Sequence, residues 1–251
     1  MKNKIILRRF AYACIVIVAV AAIISTVHRI GTREPKPRTI IVTVIPGSTI
    51  NSIAKLLSGS GLPSRDFLKL SLPTFDASTS KSAAGFGLEG YLYPDTYNFT
   101  SGESAEQIIR TMTENFDAHF PQDLFDHQKG TVRSKRDIVI MASILEKEVA
   151  TAEDKRIVAG ILWKRLEHRL PLQVDSTTHY FLAPSAGLVY NTYQSAGLPF
   201  GPISEPSSES IRAALEPTVT DYWYFLSDRK GKIFYSRTLS EHLINKAKYV
   251  E

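Results

Sequence analysis

The stretch FAYACIVIVAVAAIISTV, Phe10 to Val27, runs eighteen residues without a charge and divides the chain before any other feature does. At about 1.5 Å of rise per residue it is near the shortest helix that can cross a bilayer's hydrocarbon. Lys2, Lys4, Arg8 and Arg9 precede it, and Arg29, Arg33, Lys36 and Arg38 follow, so flanking charge barely chooses an orientation. A cleaved signal peptide is the alternative, because AVA at 19–21 resembles a small-residue cleavage site. The uncharged run continues beyond that point, which favours an uncleaved anchor.

Residues 1–38 hold eight Lys or Arg and one acid, leaving 22 bases and 24 acids for the other 213 residues. The basic character therefore belongs to the N-terminus. The body has no surplus of bases for phosphates, which argues against nucleic acid as a partner. Its composition, 43% hydrophobic and 22% charged across the whole chain, is that of a globular protein. Cys14, the only cysteine, lies inside the apolar run, so the body can form neither a disulfide nor a Cys-ligated metal site. The six histidines show no HExxH spacing, and there is no G-x-S-x-G elbow. No metal and no cofactor are expected.

Punctuation along the chain predicts an α+β protein: residues 1–9, an apolar helix over 10–27, a proline-bearing linker over 28–38, a small module over 39–72, and a mixed α/β domain over 73–251. In the module, Ile40, Val42 and Val44 alternate with their neighbours as in a strand. PGST makes a turn with Ser48 or Thr49 as helix N-cap, and Ile50, Ile53, Ala54 and Leu57 form one helical face. Residues 72–87 are small and polar and read as a loop. Helices are predicted from Ser104 to Phe116, from Ser134 past Glu148, over 153–169 and over about 207–216. DYWYFLS and KIFYSRT, joined by DRKG, read as a terminal β-hairpin.

MASILEKEVA, 141–150, sets two glutamates two residues apart in an apolar helix. On a wheel of about 100° per residue, Glu148 falls between Ile144 and Met141, inside the apolar stripe anchored on Ile138. Glu146 falls on its border, and Lys147 shares the opposite side with Ser143. Glu148 is thus the acid the wheel turns toward the core. Burial disfavours the charged form and raises a carboxyl's pKa, so such a Glu can serve as a proton donor. A buried ion pair is the structural alternative.

Five segments together, LEGYLYPDTYNF (88–99), MASILEKE (141–148), LPLQVDSTTHY (170–180), YNTYQSAGLPFGPI (190–203) and TLSEH (238–242), resemble the endolytic murein transglycosylases, the MltG or YceG-like family. The resemblance covers about residues 39–250. It implies a single-pass enzyme of the bacterial inner membrane, anchored through 10–27 with its catalytic domain on the outer, periplasmic side. Its substrate would be peptidoglycan glycan strands and its partners penicillin-binding proteins. The module over 39–72 resembles half of a LysM glycan-binding unit. The family's acid maps to Glu148, with Glu146 as the fallback. The same resemblance offers Gln173, Asp175, Thr177, Tyr180, Asn191, Tyr193 and Glu89, with Tyr91 beside it, as sugar-holding candidates, and GLPFGPI as a rigid cleft wall. Asp175 could instead orient Glu148, or serve as the base of a hydrolytic muramidase. A tethered scaffold that binds glycan without cutting it is the non-enzymatic alternative. Departures from the family pattern include a shortened stretch before LEGYLYPDTY, Val149 in place of a small polar residue, Phe200 in place of proline and Ile233 in place of histidine.

Overall fold

The computed structural model describes residues 16–22, 37–72, 75–76, 81–126, 133–177 and 191–250. It divides into two units, 1–38 and 39–251. In the first, residues 16–22 are helical (α1). Most of the 10–27 run lies outside the described residues, among which no helix is long and apolar enough to cross a membrane.

The second unit combines helices with short antiparallel sheets around two apolar cores. Strand β1 (Thr39–Thr43) buries Val42 and exposes Ile41, the alternation expected of a half-covered strand. Helix α2 (Ile50–Gly59) begins at Thr49, whose hydroxyl accepts from Ser52 N while Ser52 Oγ accepts from Thr49 N. This reciprocal capping satisfies two donors that a helix start otherwise leaves open. Ile50, Ile53, Ala54 and Leu57 are buried, as their spacing predicts. Helix α3 (Ser64–Ser71) follows. The stretch predicted as a loop instead contains a short ladder, β2 (Phe75–Asp76) against β3 (Lys81–Phe86). Its small polar residues carry no apolar alternation, so only backbone pairing reveals it.

Strand β4 (Thr96–Thr100) then returns to pair antiparallel with β1, setting Val42 opposite Tyr97 and Ile40 opposite Phe99. The unit that begins at 39 is therefore β-α-α-β, and its second strand lies beyond residue 72. Helix α4 (Ala105–His119), capped by Ser104 with Gln107, joins both cores. Ile108 and Met112 pack with the β-α-α-β unit, whereas Phe116 packs with the larger core.

After the short helix α5 (Gln122–Asp126), the larger core is built on α6 (Lys135–Glu148), buried without a break from Ile138 to Leu145. Helix α7 (Ala152–Glu167) and helix α8 (Ser208–Leu215) pack beside it. Gly160 of α7 has no room for a side chain, because a Cβ there would stand 2.0 Å from Thr218 O. Alanine is ordinarily about 1 kcal/mol better than glycine in a helix. Here the sign reverses, and Gly160→Ala should cost at least the 1–3 kcal/mol typical of overpacking, read as a lowered urea midpoint.

The predicted hairpin is present as β5 (Tyr224–Ser227) and β6 (Ile233–Ser236), closed by Asp228, which accepts from Lys230 N and Lys232 N. A helix not expected from the sequence, α9 (Leu239–Tyr249), follows. It buries no residue, so no apolar stripe announces it. Thr238 at its N-cap, three residues before Glu241, is the signal that identifies it.

Candidate active site

Helix α6 ends at Glu148, and the chain there meets the loop that follows α7. In that loop Leu172 and Val174 are buried while Gln173 and Asp175 are exposed, the alternation of an extended segment lying on a core. Thr192 fastens it from the other side. Its carbonyl accepts from Gln173 N at 3.0 Å, its hydroxyl accepts from Val174 N at 3.2 Å, and its Oγ1 lies 2.8 Å from Thr177 Oγ1. Gln173 sits in the left-handed region at φ 56°, a conformation costly for a non-glycine residue. Arg165 compensates. Its guanidinium donates to Pro171 O, to Trp223 O and to Gln173 Oε1, tying the loop to the strand after α8.

These elements enclose a cavity of about 370 Å³. Glu148 lies half-buried on its wall, its Oε1 accepting from Ser176 N at 3.0 Å. Gln173, Asp175 and Tyr193 line the same space. Tyr193 Oη donates to Asp175 Oδ1 at 2.5 Å. Burial, the bond to Asp175, and the charges of Asp175 and Glu148 push the Tyr193 phenol up to about 12. It therefore stays protonated and donates, which fixes Asp175 as acceptor. Asn191 aims this tyrosine: its Oδ1 accepts from Tyr193 N at 2.9 Å. The rest of the wall includes Arg165, Trp223, Tyr224, His242 and Lys246.

Glu146 occupies a different place. Its Oε2 accepts from Ser207 N (2.9 Å), Ser207 Oγ (2.6 Å) and Ser210 Oγ (2.6 Å), and Lys155 Nζ stands 3.2 Å away, 3% exposed. Burial raises its pKa, but the serine bonds and the lysine charge outweigh it, leaving the carboxyl below its ordinary value. The acid sits at the N-terminus of α8, where helix N–H groups favour a negative charge. The wheel does not separate the two acids by burial: both are half-buried, Glu146 against Ser207, Ser210 and Lys155, and Glu148 on the cleft wall. The cause is that α6 is buried on every side, Ser143 included, so it has no single apolar stripe. Ser143 Oγ donates to Ile140 O and accepts from Ile203 N.

Other expected residues separate as well. Thr177 is 2% exposed and its hydroxyl serves the loop, donating to Val174 O. Glu89 is equally buried, far from sugar-binding duty, with both carboxylate oxygens accepting from Ile50 N at the start of α2. It faces Glu205, whose carboxyl pKa is pushed well above the usual range by complete burial and then by the charge of Glu89. Residues 201–206, the end of the predicted cleft wall and the turn beyond it, are buried and do not line the cavity; Ile203 and Ser204 bond to Ser143 of α6. Tyr180 lies outside the described residues. Arg165, Trp223, His242 and Lys246 were not singled out from the sequence.

A family model described as the YceG-like family matches residues 18–248. The chain belongs to the YceG-like family. Among relatives, a Bacillus subtilis (strain 168) protein named endolytic murein transglycosylase is 35% identical over 174 residues, 65% of this chain and 48% of its own length. A protein of the same name from Streptococcus pneumoniae serotype 2 is 30% identical over 200 residues, 72% of this chain and 34% of its own length. This YceG-like chain thus spans half or less of the curated relatives it matches. The crystal structure of a yceG-like protein from Listeria monocytogenes is 32% identical, with a TM-score of 0.65 over 89% of this chain and 80% of that one.

Proposed function

We propose that this chain is a lytic transglycosylase of peptidoglycan, with Glu148 as its acid and base. The observation that carries this reading is Glu148 itself, a carboxyl on the wall of a cleft lined by hydrogen-bonding and aromatic side chains, free of the ion pair that occupies Glu146. Protonated Glu148 gives its proton to the oxygen linking N-acetylmuramic acid to N-acetylglucosamine, and the bond from that oxygen to the muramyl anomeric carbon breaks. The resulting carboxylate takes the proton of the muramyl 6-hydroxyl, whose oxygen bonds to the same carbon. The products are a 1,6-anhydro end and a free 4-hydroxyl, and Glu148 is protonated again. The nucleophile belongs to the substrate, so one carboxyl performs both transfers. Asp175, fixed by Tyr193, supplies negative charge beside the oxocarbenium-like transition state.

Asp175 on the same wall also favours a second reading, hydrolysis with Asp175 as the base for water. Mass analysis of the released fragments separates the two. The transglycosylase leaves muramyl ends lighter by one water than those of a hydrolase. A preparation yielding only reducing muramyl ends overturns the first reading, and one that binds glycan without releasing fragments supports the scaffold alternative.

Around this site the reading places an anchor at 10–27, so that the body works at the outer face of the bacterial inner membrane, near peptidoglycan synthases of the penicillin-binding class. The β-α-α-β unit opening at 39 supports a LysM-like glycan-binding role, and the relatives' shared name supports murein as the substrate.

A further inference from the structure

We infer that the end of the cleft formed by Lys246 and His242 binds a carboxylate of the peptide that branches from the muramyl sugar being cut. This rests on the reading that the chain cuts peptidoglycan and names the part of the substrate the site distinguishes.

The cavity lining carries two acids, Glu148 and Asp175, and three basic side chains, Arg165, His242 and Lys246. The donors of Arg165 are directed to Pro171 O, Trp223 O and Gln173 Oε1, so its task is to hold the walls. Lys246 is different. Among the described residues its ammonium has no hydrogen-bond or ion-pair partner, although it lies close enough to His242 to depress that ring's protonation. The Nδ1 of His242 is buried and likewise without a partner. Burial, then the charges of Lys246 and Arg165, lower the His242 pKa. The buried Nδ1 thus lies near a solvent-exposed lysine that lines the same cleft.

Helix α9 carries both groups yet buries none of its own residues. It stays on the hairpin through the Phe234–Tyr249 stack at 3.8 Å, the Tyr224–His242 stack at 5.2 Å, and Asn245 Nδ2 donating to Ser236 Oγ at 2.9 Å. Such a helix adds little to the core, and what it brings to the cleft includes His242 and the ammonium of Lys246.

The glycan of alternating N-acetylated sugars is uncharged and gains nothing from a cation. The carboxylates of murein belong to the peptide joined to the lactyl ether of the muramyl ring. That ring must lie at Glu148 for the cut, so its branch necessarily emerges within the same cleft. A lipid-linked pyrophosphate would be equally anionic, but it sits at the strand terminus, distant from an internal cut.

The test compares two substrates with the full chain in detergent: intact sacculi, and the same sacculi stripped of peptide by an amidase. Lys246→Met should lower kcat/KM on intact sacculi about tenfold, the size of one charge-assisted hydrogen bond. It should leave the stripped glycan unaffected, and wild type should lose the same factor when the peptides are removed. Lys246→Arg should retain the preference. Equal loss on both substrates, or no loss on either, overturns the assignment while leaving the proposed activity standing. A wild-type chain that cuts neither substrate overturns the proposed activity instead.

Discussion

Glu148→Gln should slow fragment release from peptidoglycan by about 10²–10⁴-fold, the contribution usual for a positioned proton donor. The fold should not notice. Glutamine is isosteric, its amide oxygen can still accept from Ser176 N, and among the described residues Glu148 has no ion pair to lose. The thermal midpoint should therefore stay within the roughly 0.5 kcal/mol scatter of changes that break no packing. Digestion at the wild-type rate by a folded Glu148→Gln chain would remove this residue from the chemistry. A large fall in the midpoint would mean that it acts as a structural group.

The companion experiment has the opposite signature. Glu146→Ala removes the acceptor shared by Ser207, Ser210 and Lys155 and leaves a lysine that is 3% exposed without its counter-charge. Breaking a buried pair from one side costs about 3–5 kcal/mol, here read from urea unfolding. The pH dependence follows from the same contacts. The folded pKa of Glu146 lies below the ordinary value, so its stabilisation is complete above the unfolded carboxylate's pKa, about 4.3, and is lost as pH falls through the folded value. The variant should show a shallower decline of stability over that acidic window than wild type. Identical slopes would mean that Glu146 is not held ionised.

The two glutamates show where pattern reasoning succeeds and where it stops. Ile50, Ile53, Ala54 and Leu57 were legible because α2 has one covered side, and Ser104 was legible as a cap because polar residues precede a clean apolar repeat. Helix α6 is enclosed from Ile138 to Leu145, and in such a helix the wheel has no stripe to find. Glu148 reaches the cleft because it lies in the last turn, past the enclosed stretch, not because of its angle to Ile144. Gln173 and Asp175 were offered by the resemblance alone; the burial of Leu172 and Val174 beside them emerges only in the folded chain. Arg165, Trp223, His242 and Lys246 were not legible. They come from α7, the segment before β5, and α9, and only the folded chain brings them to one cavity.

Leu88 N donates to Ser71 O at 2.9 Å, so the chain leaves the β-α-α-β unit after α3 and returns to it at a single doorway. Closure entropy rises by only about 0.6 kcal/mol for each doubling of loop length, so the excursion over 72–87 is a natural graft port. A folded guest whose termini lie close together could be spliced there, away from the residues that line the cleft.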